Sequence, residues 1–140
     1  MNVADEINGL LEEKYNCSQI MMILLQKLCG KENPDMLRAM AGLGGGLHCW
    51  KTCGTLTGGC CLLASCTAAL PGEESKVQYK EIVADYVNWF EKEFGSIDCS
   101  KIINGEKKNI PVICPVVLEE SFTKCMELLA EREIDMEELR

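Results

Sequence analysis

From Cys53 to Leu70 the chain runs eighteen residues without a charge, "CGTLTGGCCLLASCTAAL". Such a segment must leave water, either by spanning a bilayer or by forming the centre of a core. Its length approaches what a membrane helix needs. Its composition does not: it holds three glycines, several Ser and Thr, and few large aliphatic side chains. The segment that follows, "PGEES", is acidic and brings neither an aromatic belt nor a basic flank. The run therefore predicts a buried, small-residue central helix over about residues 52–70, not a membrane span.

The remaining segments supply helices to cover it. Residues 2–14 place Val3, Ile7, Leu10 and Leu11 at helical spacing beside an acidic face. "NCSQIMMILLQKLCG" gives a second helix, capped by Asn16 and stopped by Gly30. Asn33 and Pro34 open a short third helix, which the glycines 44–46 end. Residues 75–95 form an amphipathic helix with Tyr79, Ile82, Val83, Tyr86, Phe90 and Phe94 on one face and Gly95 as its stop. "DCSKIING" reads as one short helix and "ICPVVLEESFTKCMELLAEREI" as a longer one. With no β-type alternation, repeat or linker, the expected fold is all-α, a compact multi-helix bundle forming a single domain over residues 1–140.

A net charge of −8, with no Lys/Arg cluster, excludes binding to a phosphate backbone. The acidic N-terminus "MNVADEINGLLEEKYN" lacks the basic start and apolar run of a secretory signal, so a cytoplasmic location is expected. Disulfides are scarce there. Ten cysteines in a reducing compartment point instead to metal ligation or thiol redox chemistry.

Their spacing narrows the choice. No C-x-x-C occurs, which argues against a thioredoxin-type motif, paired zinc knuckles and covalent haem attachment. Four cysteines fall where helices should start: Cys17 after Asn16, Cys53 after Thr52, Cys99 after Asp98, and Cys114 before Pro115. Unpaired N–H groups and partial positive charge at a helix start favour the thiolate. Four such thiolates converging on one point would suit a Cys-ligated iron–sulfur cluster, whose potential responds to N–H groups near sulfur.

Cys29, Cys60, Cys61, Cys66 and Cys125 lie within apolar helical faces and are expected to pack as small hydrophobes. Cys49 could be a resolving thiol or an extra ligand. His48, the chain's one histidine, is expected to be a polar loop residue, with metal ligation as its alternative. Trp50, Trp89 and "IMMILL" are expected core. Gly54, Gly58 and Gly59 permit close approach, either by a cofactor or by another helix.

"YNCSQ", "GLGGGLHCWKTCGTLTGG", "GSIDCSKIING" and "CPVV" together resemble the C-GCAxxG-C-C family, proteins of similar length assigned a redox role. The resemblance spans about residues 11–130 and points to Cys17, Cys53, Cys99 and Cys114 as the characteristic cysteines, with Cys125 as a competitor for the last. Thr55 stands where the family usually has alanine. The family is also similar to the cluster-bearing part of the split-Soret cytochromes, though this chain lacks their haem motifs. That kinship implies a 2Fe–2S cluster in preference to 4Fe–4S, a redox partner protein, and a setting near membrane transporters. A cluster-free purified form and a homodimer are both compatible with it.

Three functions therefore stand side by side. The first is electron transfer or redox sensing by a cluster on Cys17, Cys53, Cys99 and Cys114. The second is thiol–disulfide exchange with Cys53 as nucleophile and Cys49 or Cys17 resolving. The third is structural zinc.

Overall fold

The computed structural model describes residues 1–75 and 77–136. Among them are seven α-helices and no strand: α1 Val3–Glu12, α2 Cys17–Cys29, α3 Pro34–Met40, α4 Gly54–Thr67, α5 Tyr79–Phe94, α6 Cys99–Ile102 and α7 Ile110–Glu131. Short 3-10 turns at Ala41–Leu43 and Lys107–Asn109 link some of them. No helix among the described residues is long and apolar enough to cross a membrane.

Helix α4 is the centre of the bundle, packed by α2, α5 and α7. Gly54, Thr55, Leu56, Gly58, Gly59, Leu62, Leu63 and Thr67 are all buried, so almost every side of it is covered. It is shorter than the uncharged run. Cys53 is its N-cap, and Ala68 leaves the helix in an extended conformation. Leu70 precedes Pro71, and a residue before proline disfavours helical backbone.

The glycines of α4 set how closely its neighbours approach. A Cβ at Gly58 would lie 2.8 Å from the Cα and carbonyl oxygen of Ser18, so α2 meets α4 backbone to backbone. At Gly59 it would meet the Tyr86 ring. Tyr86 is fully buried, and its hydroxyl donates to the Thr55 carbonyl at 2.9 Å, fixing α5 to the first turn of α4. Beside Tyr86, the rings of Phe90 and Phe94 meet edge-on with centroids 4.7 Å apart.

The start of α2 abuts the start of α4, and Cys29 and Cys66 near their far ends border one cleft. The two helices therefore run parallel, with both N-termini at the same end of the bundle. "YNCSQ" has a further structural task. Asn16 Nδ2 donates to the Ala41 carbonyl (3.2 Å), Gln19 Nε2 donates to that of Leu37 (3.0 Å), and the Ser18 hydroxyl lies 2.7 Å from that of Met40. These carbonyls at the end of α3 and in the turn after it would otherwise need partners.

Two expectations change at the edges. The amphipathic helix expected over 75–95 spans Tyr79–Phe94, while Lys76 lies outside the described residues. The last helix starts at Ile110, with Pro111 in its first turn, which leaves Pro115 inside the helix. Two prolines compete for one helix start. Pro111 takes it, because a first-turn N–H is unbonded anyway, and Pro115 forgoes one backbone hydrogen bond.

Substituting Gly58→Ala should lower stability by about 1–3 kcal/mol through overpacking against Ser18. Gly9→Ala, exposed in α1 with nothing near its Cβ position, should raise stability by about 0.5–1 kcal/mol. Urea denaturation midpoints of the two variants should therefore move in opposite directions.

Candidate four-thiol site

The site forms where the loop before α4 lies against the loop before α6. Thr52 and Asp98 make an isolated antiparallel bridge. The Cys53 N–H donates to the Ile97 carbonyl at 2.8 Å, and the Cys99 N–H to the Lys51 carbonyl at 2.6 Å. Cys53, the N-cap of α4, and Cys99, the first residue of α6, are thus set side by side where two short paired strips end. Cys17, the first residue of α2, reaches in from the other side. A Cβ at Gly54 would fall 2.5 Å from its Sγ, so only glycine at the start of α4 leaves the sulfur its place.

Cys114 completes the group from α7. Charge on Cys17, on Cys53 and on Cys99 would each raise its pKa, and charge on Cys17 raises those of Cys53 and Cys99. The four cysteines thus share one electrostatic neighbourhood, although they come from four separate segments. Cys125 does not belong to it. It is fully buried on α7, and the neighbouring thiols that act on it are Cys60 and Cys66.

Two features of the expected arrangement are corrected. First, Cys114 does not begin a helix. It sits one turn inside α7, because Pro111 occupies the first turn. Second, the helix starts at Cys53 and Cys99 do not lower those two thiols overall. Burial pushes Cys53 up to about 11, outweighing the backbone N–H groups of Leu56 and Thr55 and the Thr55 hydroxyl, which pull it down. None of these reaches the geometry of a full capping hydrogen bond. Burial likewise pushes Cys114 up to about 12 and raises Cys99.

All ten cysteines are free thiols. Among the described residues, no group of three or more His, Cys, Asp or Glu side chains is arranged to hold a single metal ion.

The glycines 44–46 of the loop beside the four thiols can adopt positive φ. Gly45 and Gly46 do so while Gly44 is extended at −69°, and the left-handed backbone continues into Leu47 and His48, which the sequence did not suggest. Gly45, Gly46, Leu47 and His48 all have positive φ, between 57° and 62°, forming a left-handed turn closed by the Lys51 N–H on the Gly46 carbonyl at 2.9 Å. Trp50 is also left-handed at 63°. Each non-glycine residue here costs about 1–2 kcal/mol. A Cβ at Gly46 would meet the Lys51 backbone at 2.6 Å and Cys99 Cβ at 2.8 Å, so this glycine is required by space as well as by φ.

The turn directs its side chains outward. His48 Nε2 lies 2.7 Å from the Ala41 carbonyl, so this nitrogen carries the proton and donates. Cys49 is exposed, and its thiol donates to the Gly46 carbonyl at 3.6 Å. Trp50, expected in the core, is instead 37% exposed, with Lys107 Nζ 5.0 Å from its ring centre. Of the five cysteines expected to be packing residues, Cys29 and Cys125 are buried, while Cys60, Cys61 and Cys66 are half-buried.

A family model described as "Putative redox-active protein (C_GCAxxG_C_C)" matches residues 15–128, and the chain belongs to that family. Neither curated proteins nor solved structures yield a match.

The raised thiols make stability depend on pH. Their folded pKa values exceed the ordinary value of 9.0, so the unfolded chain loses these protons first as pH rises. Their contribution is complete below pH 9 and is lost between 9 and about 11–12. The metal-free protein should therefore be less stable at pH 10.5 than at pH 8 in urea denaturation, and Cys53→Ala should flatten that decline.

Proposed function

We propose that this member of a redox-active family binds an iron–sulfur cluster through Cys17, Cys53, Cys99 and Cys114 and serves electron transfer or redox sensing. The observation that carries the reading is the placement of Cys53 and Cys99 by paired backbone beside the Cys17 sulfur at the start of α4, with Cys114 of α7 responding to charge on all three. The donor set suits the group chemically, since four thiolates are the usual ligands of such clusters. When bound, a cluster would supply one-electron exchange at a fixed position.

The chain's own residues make that position suitable. The parallel starts of α2 and α4 place partial positive charge toward the thiols, which offsets the net negative charge of a thiolate-ligated cluster. The N–H groups of Thr55 and Leu56 favour charge on the Cys53 sulfur. Gly54 and Gly46 keep side-chain bulk out of the approach to Cys17 and Cys99. Burial makes a bare thiolate unfavourable, so deprotonation would accompany cation binding.

The other readings have less support. A structural zinc needs its ligands around a single ion, and no three of the candidate side chains among the described residues are so arranged. For thiol exchange, Cys53 with a pKa of about 11 would be thiolate only about one part in ten thousand at pH 7. A redox partner would dock on the left-handed turn, where Leu47 is 44% and Trp50 37% exposed beside the thiols.

Protein purified without oxygen from cells with active cluster assembly should absorb visible light and contain iron and acid-labile sulfide. Serine at Cys17, Cys53, Cys99 or Cys114 should remove most of the colour, while Cys49→Ser and Cys125→Ala should keep it. Colourless, iron-free wild-type protein would overturn the proposal.

A further inference from the structure

At the other end of the α2–α4 pair lies a second group of sulfur side chains. Cys29 is the last residue of α2, and Cys66 is the penultimate residue of α4. Both line a cleft of about 350 Å³ that Met22 and Met36 also line. Leu25 adds an apolar wall, while Gln26, Lys31, Glu32 and Asn33 bring polar groups to it. Cys29 stands twelve residues beyond Cys17 along α2, about 18 Å at helical rise, so this group is separate from the four-thiol site.

Burial pushes the Cys66 thiol up to about 11; the Ser65 hydroxyl pulls it down, and smaller opposing influences come from Cys29, which raises it, and Lys31, which lowers it. Two thiols and two thioethers around one cleft make a soft donor set, of the kind that selects monovalent copper over harder ions. The surroundings suit a cation. The C-terminal carbonyls of α2 and α4 carry partial negative charge toward this end of the pair. Two thiolates holding a single positive ion leave one net negative charge, which Lys31 is placed to offset.

We propose that Cys29 and Cys66, assisted by Met36 and Met22, form a second site in this cleft that takes a soft monovalent metal ion of the copper(I) type. Binding replaces the two thiol protons with one cation, releases those protons to solvent and involves no electron transfer. Two sulfur ligands suffice for such an ion, with thioethers adding a third contact.

The test uses the full chain, anaerobically, with copper(I) held in a chromophoric chelator that reports transfer. The wild type should bind at least one copper(I) that the Cys29→Ser/Cys66→Ser variant does not. Half-buried Cys66 should be alkylated by iodoacetamide at least about fivefold more slowly with copper(I) present, because a coordinated thiolate no longer reacts freely. Met36→Leu, which conserves volume, should weaken binding about tenfold without altering the fold. Equal copper(I) uptake by the double-serine variant, or unchanged alkylation at Cys66, would overturn the proposal. Iron and sulfide content of the double-serine variant should match wild type, so failure here is distinguishable from failure of the cluster reading.

Discussion

The thiol site depends on two helices lying side by side, in the same direction, with almost no side chain between their first turns. Gly54 and Gly58 make this possible: at the first a Cβ would strike Cys17 Sγ, and at the second the Ser18 backbone. Everything else at that end follows from the contact. Asn16, Ser18 and Gln19 hold the carbonyls that end α3 and its turn, which brings the glycine loop round to Cys53. The Thr52–Asp98 bridge then sets Cys99 beside it. Gly59 receives the Tyr86 ring and ties α5 to the same helix.

Two opposing influences act on the sulfurs. Helix starts favour thiolates by a modest amount that fades within one turn. Removal from water disfavours them more strongly as burial deepens. At Cys53, only 8% exposed, burial prevails. At Cys114 there is no helix start to oppose it, and the neighbouring thiols add to the rise. Burial thus favours the protonated thiol at Cys53, Cys99 and Cys114.

Much of the fold was legible because it rests on local chemistry. Asn16, Asn33, Pro34, Gly30 and Gly95 mark helix ends through capping and φ preferences that act within a few residues. The uncharged run announced α4 because only a core can take it. What could not be read locally was read less well. The start of α7 depended on which of two prolines took the first turn, and the parallel pairing of α2 with α4 is a tertiary fact with no short-range signal. The outward position of Trp50 follows from a left-handed turn containing Leu47 and His48, residues that rarely adopt it. Of the candidate site, Cys17, Cys53 and Cys99 are singled out by neighbours in sequence that do mark helix starts, whereas the helix start expected at Cys114 is absent because Pro111 takes the first turn.

That left-handed turn has a kinetic consequence. Strain at Leu47, His48 and Trp50 is relieved whenever the segment opens, so opening costs less there than in the helices it joins. Gly46 packs directly on Cys99, so an opening of this turn would bare that thiol while leaving the helices in place. Access to Cys99 is in that sense governed by the loop and not by the bundle.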